Sequence, residues 1–304
     1  MSIRFDNRVA IVTGAGAGLG RSHALLLAAR GAKVVVNDLG RSRTPGNEDG
    51  FAADEVVAEI RAAGGQAVAN RDSIADFEGA QRLVEQAVAE FGGLDILVNN
   101  AGSLRDKTFG KMEMADWDFV LKVHLSGTAY CTRAAWPVMQ KAGYGRVVFT
   151  TSNAGLFGSF GQSNYAAGKM GMVGLMNTLK QEGGKYNIGV NTVAPVAATN
   201  MTEGILPADI VPHFRPEHVS AAVALLCSES FTQSGVICSA AAGHYALVQV
   251  CSTFGLQLDP AAIAEPEALL ERWDEIADAS RLRTYPNAAA ETGAILEAIQ
   301  ALRA

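Results

Sequence analysis

Residues 33–37 read Lys-Val-Val-Val-Asn and residues 95–99 read Asp-Ile-Leu-Val-Asn. A strand that is apolar at consecutive positions has no face to turn to water. It must be covered on both sides, as strands of a parallel sheet are. Strand-length runs recur at Val9–Thr13, Lys33–Asn37, Gln66–Asn70, 95–99, 146–151, 188–194 and 236–239. Helix-length amphipathic stretches such as 54–63, Phe77–Phe91 and 218–228 stand between them. Repeated strand–helix order with right-handed crossovers predicts an α/β, doubly wound parallel sheet of about seven strands.

No linker divides the first 243 residues, so they read as one catalytic domain. Beyond Gly243 the alternation stops. Leu269, Leu270, Trp273, Ile276 and Ala277 form one apolar stripe, and Ile295, Ile299 and Leu302 a second. Residues 244–304 are therefore expected to be a helical extension without strands, covering either this chain's own sheet or a partner subunit. The loop 40–50 has no periodic pattern and is expected on the surface.

Composition narrows the function classes. The net charge of −6, most of it carried by residues 240–304, opposes nucleic-acid and anionic-membrane binding. No run reaches the ~18 apolar residues of a membrane span, and the N-terminus lacks the apolar block of a signal peptide. The cysteines at 131, 227, 238 and 251 fit neither a disulfide framework nor a metal site. A cytoplasmic location with no bound metal is the expectation.

The first strand runs into Thr13-Gly14-Ala15-Gly16-Ala17-Gly18-Leu19-Gly20 and then a helical pattern. Glycines let the backbone turn sharply and approach a pyrophosphate, and the following helix N-terminus offers free N–H groups to it. Asp38 ends the second strand, where a carboxylate accepts hydrogen bonds from ribose hydroxyls and repels a 2′-phosphate. NAD is thus favoured over NADP, with Arg41 and Arg43 the residues that speak for NADP. Asp72 either touches the adenine or caps a helix. Asn99, Asn100, Ala101 and Gly102 follow the fourth strand and allow close passage of the chain beside the cofactor. Pro195 would shape the nicotinamide end, with Thr199 and Thr202 beyond it as further contacts.

Tyr165 and Lys169 are four residues apart in a helical segment and so share a face. A phenol that titrates near ~10 is a poor base, and the nearby ammonium, with the positive nicotinamide ring, is expected to favour the phenolate. Lys169 is also expected to hold the nicotinamide ribose hydroxyls, so both residues count as cofactor contacts. Ser152, at the end of the fifth strand, would hold the substrate oxygen.

With these pieces together, the sequence resembles the short-chain dehydrogenases/reductases, a Rossmann-type family, over about residues 8–240. The resemblance implies a nicotinamide-dependent oxidoreductase using Ser152, Tyr165 and Lys169. It differs where the family carries an asparagine in the helix before the fifth strand. His124 stands there, in either a proton relay or a packing role. The family's Pro-Gly is also altered, to Pro195-Val196. A narrower likeness, carried by 36–40, Leu104-Arg105-Asp106, 123–125, 160–165 and the tail, is to the (3R)-hydroxyacyl-CoA dehydrogenase units of peroxisomal multifunctional enzymes. It implies a homodimer acting on CoA thioesters, and a hydroxysteroid or steroid side-chain thioester is the alternative substrate. Arg105 and Lys107 would be the cations for CoA phosphates, or merely solvated loop charges. The terminal Ala-Leu-Arg-Ala is not a peroxisomal address.

Overall fold

The sheet follows from the doubly apolar runs. A computed structural model describes residues 2–302 apart from 43, 45, 46, 48 and 199–208. Strands β1 (Val9–Thr13), β2 (Lys33–Asn37), β3 (Gln66–Asn70), β4 (Ile96–Asn99), β5 (Gly145–Thr150), β6 (Ile188–Pro195), β7 (Ile237–Ala241) and β8 (His244–Val248) form one sheet. Its order is β3-β2-β1-β4-β5-β6-β7-β8. All neighbours from β3 to β7 are parallel, with Ile11 in register with Val35 on one side and Leu97 on the other. The chain moves outward through β2 and β3, then returns to place β4 on the far side of β1. That reversal opens a crevice at the C-terminal ends of β1 and β4, the place where open α/β sheets bind ligands.

Alternate strand residues serve the two faces. Ala10, Val12, Val34, Val36, Ile96, Val98 and Val148 share a core with α1 (Gly18–Ala29), α2 (Ala52–Ala62) and α8 (Pro216–Cys227). Ile11, Val35, Leu97 and Phe149 are equally buried but stand outside that cluster, on the opposite face. Helices α3 (Phe77–Phe91), α4 (Met114–Leu121), α5 (Gly127–Ala142) and α7 (Ser163–Gly183) form the second set, and the short α6 (Asn153–Phe157) packs on α7. Each buried Val or Leu side chain contributes roughly 1.5–3 kcal/mol. A π turn, Lys122–Ser126, joins α4 to α5. None of the described helices is long and apolar enough to cross a membrane.

The C-terminal segment carries helices as expected, but it is not free of strands. Ala242 (φ 46°) and Gly243 (φ 81°) make a two-residue turn with both φ positive, the twist that suits a hairpin. So short a connection forces β8 antiparallel to β7, and the sheet gains a strand beyond Gly243. The first compact unit accordingly runs to Leu247 and the second from Val248. The second unit holds α9 (Pro266–Glu271), α10 (Trp273–Ile276) and α11 (Ala288–Ala301). It also holds two strands that were not expected, β9 (Ser252–Thr253) paired antiparallel with β10 (Leu282–Arg283). Arg272 (φ −109°, ψ 20°) breaks the first stripe into two short helices. No residue of the three helices is buried, and Leu270 is 75% exposed.

In the loop 40–50, Ser42 is buried rather than on the surface, its hydroxyl 2.5 Å from a Glu55 carboxylate oxygen. Arg41 is exposed, bonded to the Asp49 carbonyl and stacked over Phe51. Arg43 lies outside the described residues.

Candidate active site

A cleft of about 720 Å³ opens at the crevice between β1 and β4. Gly14, Gly18, Leu19, Gly20, Asp38, Ala101, Gly102, His124, Ser152, Tyr165, Lys169 and Pro195 all line it. One end is built by backbone. Gly14 (φ +61°) sits so close to the post-β4 loop that a Cβ there would stand 2.6 Å from the Ala101 Cα, and a Cβ on Gly20 would lie 2.1 Å from the Gly14 carbonyl. Helix α1 begins beneath this loop with no side-chain cap and no acid in its first turn. Its first N–H groups are therefore the orphan donors that an anion satisfies.

Asp38 closes that end. One carboxylate oxygen accepts the Gly16 N–H at 2.8 Å and the other the Gly40 N–H at 2.7 Å. The remaining lone pairs are available to hydroxyl donors. Asn100, rather than Asn99, ties the loops together. Its side-chain amide donates to the Thr13 and Gly14 carbonyls at 3.0 Å each, while the Thr13 hydroxyl accepts the N–H groups of Asn100 and Ala101. Asn99 is turned inward, with its amide 3.3 Å from the Thr132 hydroxyl, and does not line the cleft.

Asp72 is not the N-cap of the helix that follows, a position held by Asp76 with no side-chain cap; its carboxylate accepts from Arg82 and Asn70. Thr199 and Thr202 lie outside the described residues. Arg105 is paired with Asp116 at 3.7 Å and stacked over Phe119, which occupies its charge.

The other end is built by side chains. Ser152 leaves β5 in extended geometry (φ −159°, ψ 153°) and caps α6, its hydroxyl accepting the Ala154 N–H at 3.1 Å. Serine suits both tasks: it is a strong N-cap, and its O–H, which donates to the Asn153 side-chain oxygen at 3.2 Å, can rotate to another acceptor. Tyr165 and Lys169 rise from one face of α7. The Lys169 Nζ is buried, donates to the Thr150 carbonyl at 2.5 Å and lies 5.5 Å from the centre of the Tyr165 ring.

Burial sets the charges here. It pushes Lys169 down to about 7. It also raises Tyr165 above the usual phenol range, against the opposing pull of Ser152 and with a small upward push from Asp106. In the chain by itself the Lys169 ammonium is directed to the Thr150 carbonyl. His124 is held neutral, at about 3, chiefly by burial and then by the Lys169 charge, with the Ser103 carbonyl opposing.

A family model, short chain dehydrogenase, matches residues 8–209. The chain is a short-chain dehydrogenase. This short-chain dehydrogenase is 46% identical over 296 residues to the peroxisomal hydratase-dehydrogenase-epimerase of Neurospora crassa, across 97% of this chain and 33% of that protein. It matches the solved full-length peroxisomal multifunctional enzyme type 2 of Drosophila melanogaster with a TM-score of 0.85 and 40% identity. That match covers 99% of this chain and 51% of the other. A 7α-hydroxysteroid dehydrogenase solved with NADH and 7-oxo glycochenodeoxycholic acid matches with a TM-score of 0.71 and 32% identity, over 79% of this chain and 95% of that one. The short-chain dehydrogenase thus spans about a third of the first of these multifunctional relatives and half of the second. It is an oxidoreductase, and the family implies a nicotinamide cofactor. The residues fit one: orphan N–H donors for the pyrophosphate, a cradle that a Cβ would fill, and a carboxylate for the ribose.

Sequence reasoning missed Thr13, and it gave Asn164 no role. Asn164 is fully buried, and its amide donates to the Arg105 carbonyl at 3.1 Å. A polar residue directly before the tyrosine was the available signal.

Proposed function

We propose that this chain oxidises (3R)-3-hydroxyacyl-CoA thioesters with NAD, using Tyr165 as the general base. The observation that carries the substrate class is the reach of the likeness. The match to the multifunctional enzyme runs over 99% of the chain, while the steroid dehydrogenase match covers 79%. A hydratase beside a dehydrogenase, as one relative is named, also suits an alcohol made by hydration and then oxidised. The steroid dehydrogenase itself supports the second reading, a hydroxysteroid substrate.

The glycine loop and Asp38 would hold a nicotinamide cofactor, which would supply the hydride acceptor for the carbinol carbon. On the chain's side, Ser152 donates a hydrogen bond to the substrate oxygen and Tyr165 exchanges the proton with it. The raised pKa of Tyr165 keeps the phenol protonated near neutral pH, ready to donate to a carbonyl in the reducing direction. Oxidation needs the phenolate, so its rate is expected to rise with pH.

Asp38 supports NAD rather than NADP. The protein is expected to use NAD at least about tenfold more efficiently, the effect of roughly 1.4 kcal/mol of repulsion against a 2′-phosphate. Asp38→Ala narrows the gap in paired kcat/KM measurements. Equal efficiency in the unsubstituted protein would remove Asp38 from this role.

The substrate reading is tested by offering the (3R) and (3S) isomers of a 3-hydroxyacyl-CoA in separate assays. Turnover confined to (3R) is the expected result, and preference for (3S) contradicts it. We also read the chain as a cytoplasmic homodimer. Light scattering of the purified protein and imaging of a tagged full chain test the two points, the second against the peroxisomal location in its relatives' names.

A further inference from the structure

His124 stands in the π turn Lys122–Ser126 with no exposed surface. Its Nε2 lies 2.7 Å from the Ser103 carbonyl oxygen and 3.0 Å from the Ser103 amide nitrogen. One ring nitrogen addresses both polar groups of one backbone residue, and either tautomer makes one of the two bonds. The ring also dictates its neighbour, because a Cβ on residue 102 would lie 2.4 Å from the His124 Cε1. On its other side it meets Tyr165 edge-on, with centroids 5.1 Å apart and planes at 89°.

Ser103 begins a segment that is pinned at alternate residues. The Arg105 carbonyl accepts from the Asn164 side chain at 3.1 Å, and the Lys107 N–H donates to the Gly161 carbonyl at 2.8 Å. Two of the three anchors thus come from residues just before Tyr165, and the third is His124. Between the anchors, Leu104 lines the cleft, while Asp106 accepts from the Gln162 amide at 2.8 Å.

We propose that His124 is a positioning residue: its Nε2 clamps Ser103, and so sets Leu104 as the apolar contact that aligns the substrate beside Tyr165. Nε2 makes both contacts to Ser103, which is what a clamp requires of the ring. The neutral state of the ring agrees with a clamp, since the imidazole carries no exchangeable charge over the working range. The inference rests on the Tyr165 reading for where the substrate reacts, and it holds for either substrate class.

Two amide side chains separate the roles. Glutamine reaches about as far as Nε2 and asparagine about as far as Nδ1, and neither is charged. His124→Gln is expected to keep KM within about threefold, whereas His124→Asn and His124→Ala raise it about tenfold, the loss of roughly one hydrogen bond. Hydrogen exchange at the Ser103 amide is the readout independent of any substrate, so it tests the clamp even if the CoA-thioester reading fails. Protection should survive in His124→Gln and fall in the other two. Gly102→Ala, whose Cβ would push the ring aside while residue 124 stays histidine, should repeat the higher KM and faster exchange, and it serves if the His124 variants do not fold. Activity and protection retained by asparagine but lost by glutamine, or all three His124 variants behaving alike, would overturn the clamp.

Discussion

Tyr165→Phe is expected to lower kcat on the order of a thousandfold, within the range that a positioned proton donor or acceptor supplies. The substitution keeps the ring, so the edge contact with His124 and the packing of α7 remain. Binding of reduced cofactor, followed by fluorescence, should change by less than about twofold, because the phenol oxygen is spent on the substrate. A loss of only a few fold would take Tyr165 out of the proton transfer. Lys169 has two ties, to Thr150 and to the tyrosine ring. A rate loss in Tyr165→Phe without any loss of fold is therefore the cleaner signal.

The second large effect is on stability. His23 and His124 are both fully buried, and burial holds each at about 3 against an ordinary value of 6.5. Above pH 6.5 both are neutral whether the chain is folded or not, and their contribution to stability is complete. Below it the unfolded chain takes up protons that the folded chain refuses, so stability falls as pH drops from 6.5 toward 3. At 1.36 kcal/mol per unit, each histidine costs about 2 kcal/mol by pH of about 5, or roughly 4 kcal/mol together. Urea unfolding at neutral pH and near pH 5 measures the difference. His23→Gln, which spares the active site, should remove about half of it. His23 ties α1 to α8 through the Ser220 hydroxyl at 2.8 Å, so that variant is read by its slope with pH and not by its absolute stability. An unfolding free energy that is flat over this range would contradict the burial argument.

How much of this was legible in the sequence differs from element to element. The run Val34-Val35-Val36 gave its strand and its two-sided burial without ambiguity, and the glycine loop and Asp38 meet at one end of the cleft as their places after β1 and β2 indicated. Ser152, Tyr165 and Lys169 fall in the same cleft, as spacing indicated, because a helix and a strand end fix where such side chains point. Adjacent residues defeated the same logic. Asn99 and Asn100 are chemically alike, and only the fold decides that Asn100 spans the β1–β4 crevice while Asn99 turns to Thr132. The partner of Asp72 was hidden too, because Arg82 reaches it from the next helix. The eighth strand was hidden because its turn is Ala242-Gly243. An alanine at positive φ carries no hairpin signal of the Asn-Gly kind. The protonation balance was invisible as well. Spacing brings Lys169 beside Tyr165, but only burial shows that the lysine is weakened and the phenol strengthened.

The central claim is the reaction and its substrate class, and one assay addresses it most directly. The full-length protein is given NAD with either a (3R)-3-hydroxyacyl-CoA or a free 7α-hydroxysteroid, and the absorbance of reduced nicotinamide is followed. The account predicts turnover of the thioester with a kcat/KM at least about a hundredfold above that for the steroid, a ratio within reach of pocket contacts alone. Steroid oxidation at a comparable or higher efficiency, with the thioester left untouched, would contradict it.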